Sequence, residues 1–154
     1  GQFSIAQERM VSTSVRKHIG LIVETYDRSA RRQSIVFATL PGERHELGLL
    51  MSAMICASHG FKVHYLGPEL PAAEIARYAG EVGAALVAIS VVLFESAPAL
   101  VAELVVIRAA LGPGVPVWIG GQGATGIDEN SLPQGCLVIS DRAELEQRLD
   151  VMAR

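Results

Sequence analysis

Strand-like and helix-like hydrophobic segments alternate along residues 34–152, and this alternation restricts the fold more than any other feature of the sequence. Most of the strand-like segments are rich in Val, Ile and Leu and carry little polar alternation. Such strands are buried on both faces, as they are in parallel sheets whose connecting helices cover both sides. We therefore predict an α/β fold with a five-stranded, doubly wound parallel sheet.

The element boundaries follow from the same pattern. We predict strands at 34–40, 62–66, 84–92, 115–119 and 136–139, and helices at 46–59, 71–81, 97–111 and 141–152. In the second strand Lys62 and His64 alternate with Val63 and Tyr65, which is typical of a half-exposed edge strand. An outer second strand predicts the flavodoxin-like strand order.

The first 28 residues predict one helix that is separate from this alternating region. Apolar residues recur there at intervals of three and four and form a single stripe that needs a partner: Val11, Val15, Ile19, Ile22 and Tyr26. We predict that residues 29–33 form a linker and that residues 34–154 form the α/β domain. A solvated linker explains the cluster of Arg28, Arg31 and Arg32. Because the chain opens at Gly1 directly in amphipathic sequence, we expect a fragment of a longer protein.

Composition excludes several classes of protein. With 50% hydrophobic and 19% charged residues, the chain is not intrinsically disordered. Its longest apolar run, 84–94, is too short to span a bilayer, and a net charge of −3 without a basic stripe argues against direct nucleic-acid binding. The chain has two cysteines, Cys56 and Cys136, which are too few for a disulfide framework and indicate a cytoplasmic protein. We expect Cys56 to pack as part of a helix and Cys136 as part of a strand.

Polar residues and glycines follow the first, third and fourth predicted strands. They are the loop 41–48, Ser90, and the pair Gly120-Gly121. The carboxyl ends of parallel strands lie at one edge of a sheet, and ligands bind there near the point where the strand order reverses. We expect these three segments to meet in one crevice, although a plain turn at the glycines and a local backbone bond at Ser90 are the alternatives.

His45 is the candidate metal ligand in this crevice. It lies just before a predicted helix, where the helix dipole disfavours a second proton on the ring, and a neutral imidazole binds metals. The carboxylate of Glu43 can orient the ring, and Gly48 lets the start of the helix lie close to the ligand. The alternative is a solvated loop histidine beside a helix cap.

The other histidines are weaker candidates. We assign His59 to a helix cap and His64 to an exposed edge, and we favour core-edge packing for His18 over a second axial ligand. The sequence has no phosphate-binding loop, no dinucleotide fingerprint and no nucleophile elbow. We therefore expect a protein that is not an enzyme.

Taken together, Glu43-x-His45-x-x-Gly48, Ser90 and Gly120-Gly121 resemble the cobalamin-binding domain family, from about residue 34 to the end. The resemblance implies that His45 is the lower axial ligand of a tetrapyrrole metal and that Glu43 orients it. It also implies that Ser90, Gly120 and Gly121 border the channel for the displaced nucleotide tail. The implied cofactor is haem or cobalamin.

Within that family, the segments 41–48 and 65–71 look more like bacterial light-sensing regulators, or the haem-sensing (SCHIC) domain of a purple-bacterial antirepressor, than like methyltransferases or mutases. The chain departs from the family pattern at Glu43, where the enzymes usually carry Asp, and at Arg9, where the regulators carry a histidine. The resemblance implies a light- or redox-responsive regulatory domain in a longer chain with an N-terminal sensor domain, acting on a transcriptional repressor protein that controls photosynthesis genes. The alternatives are a protein-interaction module with a vestigial pocket and a corrinoid-carrying methyltransferase module.

Overall fold

The computed structural model describes residues 4–27, 29, 30 and 32–154, without the side chains of residues 5–9, 11 and 27. Helix α1 (Ile5–Asp27) comes first, and strands then alternate with helices. The order after α1 is β1 (Ser34–Thr39), α2 (Leu47–Ser58), β2 (Lys62–Gly67), α3 (Ala72–Glu81), β3 (Leu86–Ser90), α4 (Ala97–Ala110), β4 (Val117–Gly120), β5 (Cys136–Val138) and α5 (Arg142–Met152).

The five strands form one parallel sheet in the order β2-β1-β3-β4-β5. This confirms the predicted fold, with β2 as a partly exposed edge strand. The strand order reverses between β1 and β3, so the loops after these two strands diverge and leave a crevice. None of the described helices is long and apolar enough to cross a membrane.

The predicted boundaries agree with the structure to within about two residues, and the difference at the end of β3 has a clear cause. The strand predicted at 84–92 ends at Ser90. The backbone N–H of Val92 leaves the ladder and donates to the carboxylate of Glu43 at 2.7 Å. The sequence analysis assigned no structure to two short 3₁₀ helices after β4, Gln122–Gly126 and Glu129–Ser131.

Two apolar clusters cover the two faces of the sheet. One lies between the sheet and α3 and α4, and it includes Ile75, Leu104 and Ile107. The other lies between the sheet and α2 and α5, and it includes Phe37 and Leu149. The second cluster is interrupted near the carboxyl ends of the strands, and the candidate site lies there.

Side-chain caps fix the start of α5. The carboxylate of Asp141 accepts the backbone N–H of Glu144 at 2.9 Å, and the carboxylate of Glu144 accepts the backbone N–H of Ser140 at 2.8 Å. The reciprocal pair satisfies backbone donors that the helix leaves free. These two hydrogen bonds fix the loop that follows β5.

Helix α1 packs on the body through a different face from the one the sequence predicted. Ile19 and Val23 are buried against Leu50 and Ala57 of α2, whereas the rest of the predicted stripe, at Val15, Ile22 and Tyr26, is exposed. The side chain of Val11 lies outside the described residues. Arg16 lies on the same side of α1 as Ile19 and Val23 and pairs with the buried carboxylate of Glu46.

Arg32 of the predicted linker is exposed and also contacts the body. Arg32 donates to the backbone carbonyl of Ala153 at 2.7 Å, and its guanidinium lies 5.6 Å from the centre of the Phe61 ring. Arg32 therefore ties this segment to the body instead of being merely solvated. Arg28 and Arg31 lie outside the described residues.

The packing of α4 on the sheet can be tested with one buried and one exposed residue of this helix. Leu104 is fully buried, whereas its neighbour Val105 is 50% exposed. We expect Leu104→Ala to lower the free energy of unfolding by about 2–5 kcal/mol because it leaves a cavity. The control Val105→Ala should change it by about 0.5 kcal/mol or less. Urea denaturation measures both, and equal effects would contradict the described packing.

Candidate functional site

The parallel register places the candidate residues in one row at the carboxyl edge of the sheet. Thr39 at the end of β1 pairs with Ser90 at the end of β3, and Ser90 pairs in turn with Gly120 at the end of β4. The loop after β1 carries Glu43 and His45. The three segments that the sequence analysis singled out therefore meet at one edge, as expected.

Glu43 is the residue that joins two of these loops. Its carboxylate is only 3% exposed. One oxygen accepts the backbone N–H groups of Val92 and Leu93 at 2.7 and 2.6 Å, and the other accepts the backbone N–H and the ring Nδ1 of His45 at 2.8 and 2.7 Å. This buried carboxylate thus holds the loop after β1 against the chain that leaves β3.

The four hydrogen bonds also determine the charge of Glu43. Burial by itself raises the pKa of a carboxyl, because it removes the charged form from water. Here the hydrogen bonds from the backbone of Leu93, His45 and Val92 and from the His45 ring outweigh burial, and the pKa lies below its ordinary value. Glu43 is therefore an anion at neutral pH and acts only as an acceptor.

An anionic Glu43 fixes the tautomer of His45. Because the carboxylate can only accept, the Nδ1 atom must carry the proton that lies between them. In the neutral ring the lone pair is then on Nε2, and the side chain is 56% exposed. His45 presents an oriented, accessible nitrogen of the kind that binds metals, as the sequence predicted for this pair.

Thr39 shapes the same loop, and the sequence analysis missed it. Its hydroxyl is fully buried, donates to the backbone carbonyl of Glu43 at 2.5 Å and accepts the backbone N–H of Glu69 at 2.9 Å. Nothing in a threonine at the end of a strand distinguishes this role from ordinary strand preference. Thr39 connects the loops after β1 and β2, so the loop that carries Glu43 is held from both sides.

A cavity of about 550 Å³ opens beside this loop, between α2, α5 and the sheet. Its floor is apolar and includes Phe37, Leu86 and Trp118, whereas Gln122, Ser140 and Arg142 contribute polar groups. The predicted site residues Gly48, Ser90, Gly120 and Gly121 all line it. The space exists because small residues occupy the ends of β3 and β4 on the face where the two helices separate.

The glycines of the site have two different reasons to be glycine. A side chain on Gly48 would meet no atom within 4 Å, and one on Gly120 would meet only the carbonyl of Ile139, at 4.0 Å. These two positions keep the cavity open. In contrast, a Cβ on Gly121, whose φ is +103°, would lie 2.4 Å from the carbonyl oxygen of Val91.

The requirement at Gly121 adds a structural role to the one predicted for the glycine pair. Gly121 lines the cavity, but its missing side chain makes room for the backbone after β3, not only for a ligand. Gly123, which the sequence analysis did not select, has the same constraint, with a Cβ 2.6 Å from the carbonyl oxygen of Val92. The fold needs these two glycines whether or not the cavity is filled.

The other histidines lie elsewhere. His64 is half-buried, not exposed as predicted, and its ring lies 3.1 Å from the hydroxyl of Tyr78. His18 is exposed on α1, contrary to the predicted core-edge packing, and its Nδ1 lies 2.7 Å from the carbonyl of Ser14. His59 follows α2 as predicted and lies 3.5 Å from the carboxylate of Asp150.

The cysteines are packed within the domain. Cys56 is buried on α2 and lines the cavity, and burial raises the pKa of its thiol to about 12. Cys136 is half-buried on β5, and burial raises the pKa of its thiol to about 11. Both thiols are protonated at neutral pH, which agrees with their assignment to packing. Within the described part of the chain, no group of three or more His, Cys, Asp or Glu side chains could hold a metal ion.

Comparison with protein families and known proteins gives consistent results. The model of the family described as "B12 binding domain" matches residues 33–147. Over 124 residues the chain is 33% identical to the HTH-type transcriptional repressor CarH of Myxococcus xanthus, a match that covers 80% of the chain and 41% of that protein. The chain thus spans less than half the length of this curated relative.

Solved structures have the same architecture. A cobalamin-binding protein from Desulfitobacterium hafniense superposes with a TM-score of 0.64 at 25% identity, over 96% of this chain and 75% of that one. The monomethylamine corrinoid protein of Methanosarcina barkeri superposes with a TM-score of 0.69 at 15% identity, over 97% of this chain and 72% of that one. The second likeness supports the fold alone.

The role of Glu43 in the loop can be tested through stability. In Glu43→Gln the amide keeps one accepting oxygen and places a donor group against N–H donors, so buried groups lose their partners. We expect the free energy of unfolding to fall by about 1–3 kcal/mol in urea denaturation. The exposed Glu95 is the matched control, and Glu95→Gln should change it by about 0.5 kcal/mol or less. A Glu43→Gln protein as stable as the wild type would contradict the described network.

Proposed function

The chain belongs to the B12-binding domain family, and on this basis we propose that it binds a cobalamin with His45 as the axial ligand of the cobalt. The main observation in support of this proposal is the cavity of about 550 Å³ that opens beside the loop of His45. A single oriented imidazole is a sufficient protein ligand for a metal that a macrocycle already holds. The cavity gives the rest of such a molecule a place to bind.

The lining of the cavity suits a nucleotide tail. An aromatic base fits an apolar floor, such as the one that includes Phe37 and Trp118, and a sugar-phosphate group fits polar groups such as those of Gln122 and Ser140. Side chains at Gly48 and Gly120 would occupy this volume, and their absence leaves it open. The residues present therefore fit a cofactor that carries a long tail.

This observation favours cobalamin over haem. Both macrocycles accept an axial imidazole, so His45 alone does not distinguish them. Haem has no nucleotide tail, and an open cavity beside the axial ligand would serve no purpose for it. An absorption spectrum of protein purified with both compounds supplied gives the answer, because the two chromophores absorb differently.

When bound, the cofactor supplies a cobalt centre, and the chain's own residues hold and orient it. Glu43 keeps the ring of His45 in one tautomer, and Thr39 holds the loop in place. The small residues Gly48, Ser90 and Gly120 leave room for the tail. All these tasks are binding and orientation, and we propose a sensory domain, not an enzyme.

We further propose that the domain belongs to a regulator and acts on a partner protein, a transcriptional repressor, in the cytoplasm. The similarity to the HTH-type transcriptional repressor CarH supports a link to transcription. The exposed apolar side chains Val15, Ile22 and Tyr26 on α1 support a protein contact. An antirepressor with a light- or redox-dependent response is the most specific form of this proposal. Equal repressor binding by cobalamin-free and cobalamin-bound protein would instead indicate an interaction module whose pocket is unused.

His45 is tested by its removal. We expect His45→Ala to change the visible absorption of the protein reconstituted with hydroxocobalamin, because the cobalt loses its imidazole. His59 follows the opposite end of the 12-residue helix α2, about 18 Å away at 1.5 Å per residue. The control His59→Ala should therefore keep the wild-type spectrum. An unchanged spectrum and affinity in His45→Ala would refute the axial assignment.

The cavity is tested by filling it. Gly120→Val places a side chain in the cavity at a strand position without a backbone clash. We expect cobalamin affinity to fall by about tenfold to hundredfold, as overpacking of 1–3 kcal/mol implies, and binding of cobinamide, which lacks the nucleotide, to change little. The exposed control Gly126→Val should bind both as the wild type does. Quenching of Trp118, the single tryptophan, reports occupancy, and an unaffected cobalamin affinity in Gly120→Val would exclude this cavity as the tail site.

A further inference from the structure

Glu46, the residue after His45, is a second buried carboxylate in the same loop. It is 7% exposed and lies at the N-terminal boundary of α2, where its backbone carbonyl accepts the N–H of Leu50 at 2.9 Å. Its side chain makes no capping hydrogen bond to the helix. The carboxylate is directed instead toward two other elements of the fold.

The partners of Glu46 come from α1 and from β2. Its Oε1 atom lies 2.5 Å from the Nε of Arg16 on α1, and its Oε2 accepts the hydroxyl of Tyr65 on β2 at 2.5 Å. Burial, followed by the hydrogen bond and the charge of Glu46, raises the pKa of Tyr65, so its hydroxyl stays a donor. A buried carboxylate is costly without partners, so Glu46 depends on both.

We propose that Glu46 and Arg16 are positioning residues that couple the docking of α1 to cobalamin binding at His45. The inference rests on the proposed function and extends it to α1. His45 and Glu46 are consecutive, so a shift of the Glu46 backbone shifts the axial ligand. With Arg16 in place, Glu46 stays anchored and His45 stays in its binding position.

Among the described side chains of α1, the apolar contact with the body is small. Ile19 and Val23 are the buried residues of α1 in its apolar contact with α2. A cavity of about 460 Å³ lies between α1 and the body, lined by residues of both, among them Gly20, Val23 and Tyr65. Incomplete packing lowers the cost of separating the helix from the body, and the proposal requires that α1 also adopts a less closely docked arrangement.

Linkage then requires a reciprocal effect. If a docked α1 favours the binding position of His45, bound cobalamin must favour the docked α1 to the same degree. A purely structural ion pair would lower stability when removed, but it would not make the exchange of α1 depend on the ligand. The effect of the ligand on hydrogen exchange in α1 therefore distinguishes a coupling role of the ion pair from a purely structural one.

The test uses the 154-residue chain with hydroxocobalamin. Arg16→Met retains an unbranched apolar stem and removes the positive charge. Arg16→Lys keeps a positive charge at this position. Lys17→Met removes a charge from the neighbouring exposed position and is the matched control. Hydrogen exchange of backbone amides in α1 is measured with and without ligand, and affinity by titration. Tyr65→Phe keeps the aromatic ring and removes the hydroxyl that donates to Glu46. It is a second, independent way to release the Glu46 carboxylate from its position.

In the wild type and in Lys17→Met, we expect hydroxocobalamin to slow exchange in α1. Arg16→Met should bind about fivefold or more weakly, the lower end of the usual range for coupled sites, and should lose the ligand-dependent protection, with Arg16→Lys in between. Wild-type affinity with retained protection in both Arg16→Met and Tyr65→Phe would overturn the coupling and leave cobalamin binding established. Failure of the wild type to bind hydroxocobalamin would overturn the proposed function, and the coupling with it.

Discussion

The site depends on one buried carboxylate. Glu43 accepts four hydrogen bonds, from the backbone of His45, Val92 and Leu93 and from the His45 ring. An anion with so many donors is held in one position, and it holds in turn the loop after β1 and the chain after β3. The place where the strand order reverses thereby becomes rigid, and an imidazole with a defined tautomer projects from it.

The cavity exists because the strands β3 and β4 end in residues with small side chains. On the face covered by α2 and α5, Ala88 and Ser90 end β3 and Gly120 ends β4, so the helices cover a hollow instead of a packed core. The backbone itself is drawn together here, because Gly121 and Gly123 let it pass close to the chain after β3. Neighbouring glycines thus have different effects: Gly121 and Gly123 let the backbone close up, whereas Gly120 leaves the cavity open.

Two adjacent side chains connect this site to different parts of the molecule. His45 belongs to the loop that Glu43 fixes, whereas Glu46 links the start of α2 to Arg16 on α1 and to Tyr65 on β2. The two residues are consecutive, and this peptide bond is the route of the coupling that we propose. Helix α1 is held on the body by this ion pair as well as by the packing of Ile19 and Val23.

The parallel sheet, the edge position of β2 and the pairing of Glu43 with His45 could be predicted from the amino-acid sequence, because they follow from hydrophobic periodicity and from contacts between near neighbours in the chain. The buried face of α1, the roles of Thr39 and Gly123 and the contacts of Glu46 became visible only in the folded chain. Each of these depends on residues that are distant in sequence, such as Arg16 and Glu46, or Gly123 and Val92. Helical periodicity identifies an apolar stripe, but it does not show which part of that stripe packs on the body or which charged side chain finds a partner there.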